Sequence, residues 1–327
     1  MTRLPSLSLQ LLRFRVATMV WTFMLLGAAW PDGLPAFSAD LLWAALALAA
    51  SYVAATSVND IADVDVDRIN HPGDRARPLV TGEAREWDLW RLHVLACAAA
   101  LLAAMPLGWA AVGVIAGSLA VGIAYSLPPL RVSYRTWLAP LLLSVAYVPV
   151  PFSLGVLASG RKPDGGDAWL AAALSMLFLA RIVLKDYRDR VGDARHDKPT
   201  LLLRFGSTVT CAASFAALLL ANVLLVVAVR PPLALAIPLE ALLVAIAVLL
   251  ARLHRARDAR EEQVAIGLGA RLGNGVLICL LAWLVLGGEG ATDAARAPIV
   301  SGLAGLFLAS TAALAARPER VVIGYKG

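Results

Sequence analysis

The sequence predicts an all-α membrane protein, a polytopic bundle of nine or ten transmembrane helices around a central cavity. Hydrophobic residues make up 60% of the 327 residues and charged residues only 16%, whereas soluble domains average about 45–50% and 25%. The apolar residues collect in runs of roughly 18–23, each long enough to cross the hydrocarbon core of a bilayer. Most runs lack the polar face that a soluble helix bundle needs, so a soluble fold is excluded.

Ten apolar runs are predicted to cross the membrane, and no change in composition divides them, so we predict one transmembrane domain over residues 1–327. The run at 264–287 is the weakest, since it carries Arg271, Asn274 and several glycines. The runs lie near residues 10–30, 38–58, 87–107, 109–127, 137–158, 168–185, 208–229, 233–252, 264–287 and 297–316.

The distribution of basic residues predicts the orientation, because Lys and Arg concentrate on the cytoplasmic side. With the N-terminus in the cytoplasm, 25 of the 29 Lys and Arg residues lie at cytoplasmic ends or loops. The net charge of +6 is thereby explained, and we predict membrane lipids as surroundings, with no nucleic-acid partner and no protein partner. The arginine-rich, alanine-rich composition is typical of GC-rich bacterial genomes, which predicts a bacterial inner membrane.

Two acidic clusters follow apolar runs, and this placement predicts the functional site. In the first, Asn59, Asp63 and Asp67 are spaced i, i+4, i+8 and share one helical face, with Asp60 beside them and Asp65 pointing away. The second cluster places three carboxylates on one face by the same rule: Asp186, Asp189 and Asp193. The predicted orientation places both clusters on the cytoplasmic side, beside the long polar segments at about 59–86 and 186–207.

Two carboxylate faces at the mouths of membrane helices repel each other unless a cation lies between them. Oxygen-only ligation with many carboxylates suits Mg²⁺, which keeps waters and is shared with substrate phosphates. The acidic residues, together with Asn59, are therefore predicted metal ligands in a diphosphate site. Two other interpretations stay open, namely solvated helix ends balanced by arginines and a cation site in a transporter.

Basic and aromatic residues complete the predicted site. Arg77, Arg131 and Lys185 are the predicted diphosphate-binding residues, since guanidinium and ammonium groups pair with phosphate oxygens. Tyr125 and Tyr147 are candidates for shielding a carbocation with their ring faces, as are Phe152, Trp21 and Phe23. Positive-inside anchoring and ordinary core packing are the alternative interpretations of these residues. None of the four histidines is assigned a role.

These motifs resemble those of the UbiA superfamily of intramembrane prenyltransferases. The run Asn59-Asp60-x-x-Asp63-x-x-x-Asp67 matches the N-D-x-x-D-x-x-x-D motif of that family, and Asp189-x-x-x-Asp193 matches its second motif. The segment Arg77-Pro78-Leu79-Val80-Thr81-Gly82 is similar to the R-P-L-x-x-G that follows the first motif. Asp197-Lys198-Pro199-Thr200 stands where members often carry a G-K-R-T-like run.

The resemblance implies a prenyltransferase that transfers a prenyl group from an allylic polyprenyl diphosphate to an aromatic, quinone-precursor-type small-molecule acceptor. Mg²⁺ would bridge the diphosphate to both acidic faces, with Asn59, Asp63, Asp67, Asp189 and Asp193 as the catalytic residues. A membrane terpene cyclase with the same fold is the alternative, since it would ionise the same substrate without an acceptor. An ion-coupled transporter is a more distant alternative.

Overall fold

The computed structural model describes residues 4–36 and 38–321, and this part of the chain is built of helices without strands. Four short 3₁₀ turns accompany fifteen α-helices. The helices are α1 (Leu4–Leu11), α2 (Phe14–Ala29), α3 (Ala39–Ala62), α4 (Val64–Asn70), α5 (Pro78–Thr81), α6 (Glu86–Ala104), α7 (Trp109–Ser126), α8 (Leu138–Tyr147), α9 (Pro149–Ala158), α10 (Gly165–Ile182), α11 (Asp186–Arg195), α12 (Leu201–Val229), α13 (Leu233–His254), α14 (Ala259–Gly288) and α15 (Asp293–Ala315).

Nine stretches of the described chain are long and apolar enough to cross a membrane. A tenth is obtained if α1 and α2, which meet at 67°, count as one broken span. The predicted all-α membrane bundle of nine or ten spans is therefore confirmed. The doubtful run at 264–287 lies within α14, a 30-residue helix that qualifies as a span.

Several helices begin where a side chain accepts a hydrogen bond from an otherwise unpaired backbone N–H. Ser38 caps α3 by accepting from Leu41 N, and Asp258 caps α14 by accepting from Glu261 N. Thr200 and Thr292 cap α12 and α15 in the same way. Such caps stabilise a helix by about 1 kcal/mol each, so polar residues beside the apolar runs define where the spans begin.

The fifth span is broken into α8 and α9 at Val148. Pro149 begins α9 and has no N–H to continue the helical hydrogen bonds, and a proline also disfavours helical geometry in the residue before it. Tyr147, the last residue of α8, therefore lies at a bend in the middle of a span.

The bundle has two apolar cores. The N-terminal core is formed mainly by α1, α3, α6 and α7, and the C-terminal core by α10 and α12–α15. Helices α2 and α9 contribute to both, since Met24 and Leu154 pack in the first, and Phe23 and Phe152 pack in the second. The two halves of the bundle thus share the helix pair α2 and α9.

Helices α2 and α9 meet backbone to backbone. A Cβ atom on Gly27 would lie 2.1 Å from Phe152 O, and one on Gly155 would lie 1.9 Å from Met24 O. Because backbone atoms cannot rotate out of the way as side chains do, only glycine is compatible with this contact at either position. The close approaches of Gly27 to Phe152 and of Gly155 to Met24 fix the distance between α2 and α9.

Candidate active site

The first acidic cluster extends from the end of α3 into α4. Asp63 lies between the two helices, yet its N–H donates to Asn59 O at 2.9 Å and its carbonyl accepts from Asp67 N at 2.8 Å. Helical spacing therefore continues through the junction, and Asn59, Asp63 and Asp67 all line one cavity. Asp65 is exposed and pairs with Arg68, as its position in the spacing predicts.

The second cluster forms α11, which continues α10 through a 3₁₀ turn at Val183–Lys185. Asp189 and Asp193 line the same cavity as the first cluster, while Asp186 is buried outside the lining. The polar segments predicted at about 59–86 and 186–207 thus begin as helices, in agreement with the helical spacing of their carboxylates. These helices carry the carboxylates to the end of the cavity.

Helices α4 and α11 contact each other at Gly192. The N–H of Gly192 donates to Asn70 Oδ1 at 2.7 Å, and a Cβ at this position would lie 2.6 Å from Asn70 Nδ2 and 2.7 Å from Val66 O. Because Gly192 has no side chain, the two acidic helices can approach this closely. The distance between the two carboxylate faces depends on this contact.

Basic side chains lie between and behind the carboxylates. Lys198 Nζ lies 3.4 Å from Asp63 Oδ2 and 3.7 Å from Asp193 Oδ1, so its ammonium bridges the two acidic clusters. Arg77 pairs with Asp67 and also with Asp60, which is buried outside the cavity lining. Positive charge is therefore held where the two faces meet.

Two further pairs surround this bridge. Arg13 Nη2 donates to Asp60 Oδ1 at 2.5 Å, and His71 Nε2 lies 3.1 Å from Asp189 Oδ1. Arg188 binds the same carboxylate, with Nε 2.8 Å from Asp189 Oδ1. Both acidic clusters are thus paired with basic side chains, some from distant segments and one from the same helix.

The environment affects the charge of two basic groups. Burial, reinforced by the charge of Arg13, lowers the pKa of Arg77 to about 10, so this guanidinium remains charged at neutral pH. Burial alone would lower the pKa of Lys198, but the nearby carboxylate of Asp63, with Asp193, outweighs it and raises that pKa above its usual value. Both residues are therefore cations at neutral pH.

Some carboxylate oxygens in the clusters accept no hydrogen bond although they are buried. They are Asp60 Oδ2, Asp63 Oδ1 and Asp193 Oδ1. Over the described ranges 4–36 and 38–321, no three His, Cys, Asp or Glu side chains converge closely enough to hold one metal ion. The acidic clusters thus offer buried carboxylate oxygens that accept no hydrogen bond, rather than a complete protein cage for a metal ion.

The cavity has a volume of about 750 Å³ and an aromatic wall beside the polar groups. Tyr147 stacks on Phe178 with ring centroids 5.2 Å apart and meets Tyr52 edge to face at 6.1 Å. Tyr125 accepts a hydrogen bond from Lys185 Nζ at 2.9 Å. Both predicted tyrosines and the predicted Lys185 therefore line the cavity, with Tyr52 and Phe178 in addition.

Other predicted residues lie elsewhere. Arg131 does not line the cavity, since it donates to Ala62 O at 3.3 Å and stacks on the ring of Tyr134 at 4.0 Å. Phe152 is fully buried in the C-terminal core, and Trp21 donates to the carbonyl of Ala45. The structure thus brings Arg77 and Lys185 to the cavity but places Arg131 behind the first acidic cluster.

Sequence reasoning missed four residues that bind the acidic clusters: Arg13, His71, Arg188 and Lys198. Lys198 had a signal, because it occupies the lysine position of the run compared above with G-K-R-T. His71 follows the first cluster closely and also precedes Pro72 and Gly73, which turn the chain back. Arg13 had none, since 47 residues separate it from Asp60.

Comparison with known proteins decides the family. A sequence model of the UbiA prenyltransferase family matches residues 17–274, most of the chain. The chain belongs to the UbiA prenyltransferase family. The resemblance drawn from the two acidic motifs is thereby confirmed.

Two curated relatives match part of this UbiA member. A homogentisate phytyltransferase from Synechocystis sp. is 32% identical over 172 residues, which are 50% of this chain and 54% of the relative. A digeranylgeranylglyceryl phosphate synthase from Pyrococcus horikoshii is 30% identical over 155 residues, 47% of this chain and 52% of the relative. The chain therefore spans about half the length of the curated relatives it matches.

Solved structures share the fold. A digeranylgeranylglyceryl phosphate synthase structure superposes with a TM-score of 0.67 and 15% identity, covering 86% of this chain and 99% of the other. A UbiA homologue from Archaeoglobus fulgidus, bound to DMAPP and Mg²⁺, gives a TM-score of 0.58 at 16% identity, covering 94% of this chain and 98% of the other. At these identities the likeness establishes the UbiA-type helical bundle of an integral membrane protein.

Proposed function

We propose that this UbiA-family member is a Mg²⁺-dependent membrane prenyltransferase that transfers a prenyl group from an allylic polyprenyl diphosphate to an aromatic, quinone-precursor-type acceptor. In the reaction, the bond between C1 of the donor and its bridging oxygen breaks, and diphosphate leaves with the electron pair. The acceptor supplies the electron pair for the new bond to C1 and loses a proton.

One observation carries the proposal. Two carboxylate-bearing helices, α4 and α11, meet at one end of a single cavity that also presents cationic groups and an aromatic wall. Metal ligands, cations for phosphate oxygens and a water-poor aromatic space are the three requirements for ionising a prenyl diphosphate. The solved A. fulgidus homologue bound to DMAPP and Mg²⁺ supports the same donor class.

The residues present fit Mg²⁺. Asp63 Oδ1 and Asp193 Oδ1 are buried, accept no hydrogen bond and belong to facing helices, while the Lys198 ammonium marks a position of positive charge between these residues. Mg²⁺ usually takes one or two carboxylates and completes its shell with water and substrate phosphates, so a three-residue protein cage is unnecessary. We assign as proposed ligands the predicted residues that line the cavity, namely Asn59, Asp63, Asp67, Asp189 and Asp193. Asp60 and Asp186 were predicted as ligands too, but they are buried outside the lining and are left out of the proposed set. Bound Mg²⁺ would neutralise the diphosphate as it leaves.

The cationic residues bind and orient the leaving group. Arg77, Lys185 and Lys198 line the cavity beside the acidic faces, and their donors suit phosphate oxygens. The Lys185–Tyr125 hydrogen bond fixes the lysine head at the boundary between the polar and aromatic walls. For Arg131 we propose a positioning role, since its bond to Ala62 O holds the end of α3 next to Asp63.

The aromatic wall stabilises positive charge on the donor. The stacked rings of Tyr147 and Phe178 present π faces to the cavity, and Tyr52 supports them from the side. Attraction between a cation and a desolvated ring amounts to about 2 kcal/mol, enough to favour the allylic cation in the cavity. Excluding water from this wall limits hydrolysis before the acceptor attacks.

The proposed setting is a bacterial inner membrane with the N-terminus and both acidic clusters in the cytoplasm. This orientation keeps 25 of the 29 Lys and Arg residues on the cytoplasmic side. Water-soluble diphosphate would then leave on the side where the acidic helices open.

The proposal is tested by measuring diphosphate release and prenylated product from purified protein with geranyl, farnesyl and geranylgeranyl diphosphates. Each reaction is run with Mg²⁺ or EDTA, and with or without an aromatic acceptor. We expect Mg²⁺-dependent release that requires the acceptor. Release without acceptor that yields a cyclic hydrocarbon would identify a terpene cyclase, and no release with any donor would contradict diphosphate chemistry altogether.

A further inference from the structure

The wall of the cavity formed by α10 and α14 carries polar groups that the proposed donor site does not use. Gln263, Arg271 and Asn274 line the cavity from one face of α14, and Arg181 lines it from α10. Arg271 lies twelve residues into α14, about 18 Å along the helix axis from its first residue. Charged side chains at such depth are costly and usually functional.

These groups are held in place by contacts that orient them. Arg181 Nη1 donates to Asn274 Oδ1 at 3.2 Å, which ties α10 to α14. Arg271 donates through Nε and Nη2 to Ser310 Oγ at 3.2 and 2.9 Å, and its guanidinium lies 5.9 Å from the ring centroid of Phe307. Ser310 and Phe307 belong to α15, which lies beyond the residues that match the family.

The charges that line the cavity do not cancel. Eight Lys and Arg residues but only five Asp residues line the cavity. Asp63, Asp67, Asp189 and Asp193 already have cationic partners near the acidic helices. Arg271 makes no ion pair with any described residue, so its positive charge remains available to an anion.

We propose that Arg181, Arg271 and Asn274 form a second anion-binding site, which takes the carboxylate or phosphate of the acceptor. This inference rests on the prenyltransferase function proposed above, and it defines the acceptor as an anionic molecule. Guanidinium groups suit both anions, because their paired N–H donors match two oxygens of either. The amide of Asn274 orients the Arg181 side chain and adds a hydrogen-bonding group to the site.

The position of Arg181 suits an acceptor whose other end must attack the donor. Arg181 precedes Asp186 by five residues along a nearly continuous helix, an axial separation of about 7.5 Å. An acceptor anchored by its anionic group at this level has its remaining length directed along the cavity. The anionic end and the attacked C1 are thereby kept apart, and the acceptor does not compete with diphosphate for Lys185.

The test compares charged acceptors with neutral analogues that differ only in the anionic group. The probes are homogentisate against its methyl ester, and geranylgeranylglyceryl phosphate against geranylgeranylglycerol, each with radiolabelled geranylgeranyl diphosphate and Mg²⁺. The first pair tests a carboxylate and the second a phosphate. KM is measured separately for acceptor and donor in the wild type, Arg271→Gln, Arg271→Lys and Ser310→Ala.

We expect the wild type to have a KM about 10- to 100-fold lower for the anionic member of one pair, the range for a hydrogen bond to a charged group. Arg271→Gln should remove this preference while the donor KM stays within about twofold of the wild-type value. Arg271→Lys should keep part of the preference for the anionic acceptor, because lysine retains the positive charge. Arg257→Gln, an exposed arginine outside the cavity, is the matched control and should behave as wild type.

The outcomes separate the two proposals. Transfer by the wild type with equal KM for anionic and neutral acceptors would overturn the anion site and leave the prenyltransferase function standing. So would an Arg271→Gln variant that loses donor and acceptor affinity equally. Absence of transfer from the wild type to any probe would overturn both. The wild-type comparison shows whether the acceptor is bound as an anion, and Arg271→Lys tests the site if Arg271→Gln does not fold.

Discussion

Replacing Gly192 by alanine tests whether the two acidic helices must meet as closely as they do. The new Cβ would lie 2.7 Å from Val66 O, a backbone atom that cannot rotate away, and 2.6 Å from Asn70 Nδ2. Heavy atoms reach optimal contact at about 3.5 Å, so α11 must move away from α4 by about 0.8 Å. The hydrogen bond from Gly192 N to Asn70 Oδ1, 2.7 Å long, is lost or stretched by the same movement.

The expected result is a catalytic defect larger than the folding defect. Overpacking of this kind costs about 1–3 kcal/mol of stability, whereas misplacing reacting groups by about 1 Å lowers the rate on the order of 100-fold. We therefore expect kcat for diphosphate release to fall about 100-fold. The Mg²⁺ concentration needed for half-maximal rate should rise, because the carboxylates of α4 and α11 no longer reach the same ion.

The assay is a Mg²⁺ titration of steady-state diphosphate release at saturating donor and acceptor, with thermal unfolding measured on the same preparation. Gly117→Ala is the control, because a Cβ added to this helical glycine would meet no atom of another helix within 4 Å. Asn70→Ala removes the hydrogen bond without adding an atom and should give a smaller defect. Wild-type kcat and Mg²⁺ dependence in Gly192→Ala would refute the claim that this contact sets the distance between the acidic faces.

Three further predictions use single substitutions. Asp63→Ala should abolish Mg²⁺-dependent diphosphate release. Asp65→Ala removes only an exposed ion pair and should retain this activity. Similar losses in both variants would contradict the assignment of Asp63 to the cavity face of the helix. Lys198→Met should raise the KM for the donor about 10- to 100-fold, because it removes a cation that binds phosphate. An unchanged donor KM in initial-rate measurements would argue against this role of Lys198. Gly155→Ala should lower the thermal unfolding temperature in detergent, because its Cβ would lie 1.9 Å from Met24 O, and unfolding at the wild-type temperature would show that α2 and α9 can separate without cost.

The spans were predictable because each depends on a local property, the length of an apolar run. The positions at which spans are broken were only partly predictable. Pro149 signals the break at Val148, since proline interrupts helical hydrogen bonding. The break between α1 and α2 has no such signal, and the Arg13 residue at this junction reaches Asp60 through a contact between distant segments.

In the candidate site, too, local features were predictable and contacts between distant segments were not. Asn59, Asp63 and Asp67 were predicted to share a face because i, i+4 spacing is a local property, and they line one cavity. Among the cations that pair with the carboxylates, Arg77 was a predicted site residue. Lys198 was not, because its ion pair with Asp63 joins residues far apart in the chain. Arg131 was predicted in the cavity but does not line it. Its position after the end of a span suggested the cavity, whereas in the folded chain it lies behind α3.

The glycine contact between α2 and α9 affects the separation of the acidic helices from a distance. The first acidic cluster continues α3, which packs in the N-terminal core, and the second continues α10, which packs in the C-terminal core. Gly27 lies thirteen residues into α2, about 20 Å of helix rise from its start, so each half acts as a lever of roughly that length. Tilting one half by about 3° over such an arm moves its carboxylates by about 1 Å. A change of this size at α2 and α9 would strain the contact of α4 with α11 at Gly192, so the two glycine contacts together hold the acidic helices at one separation.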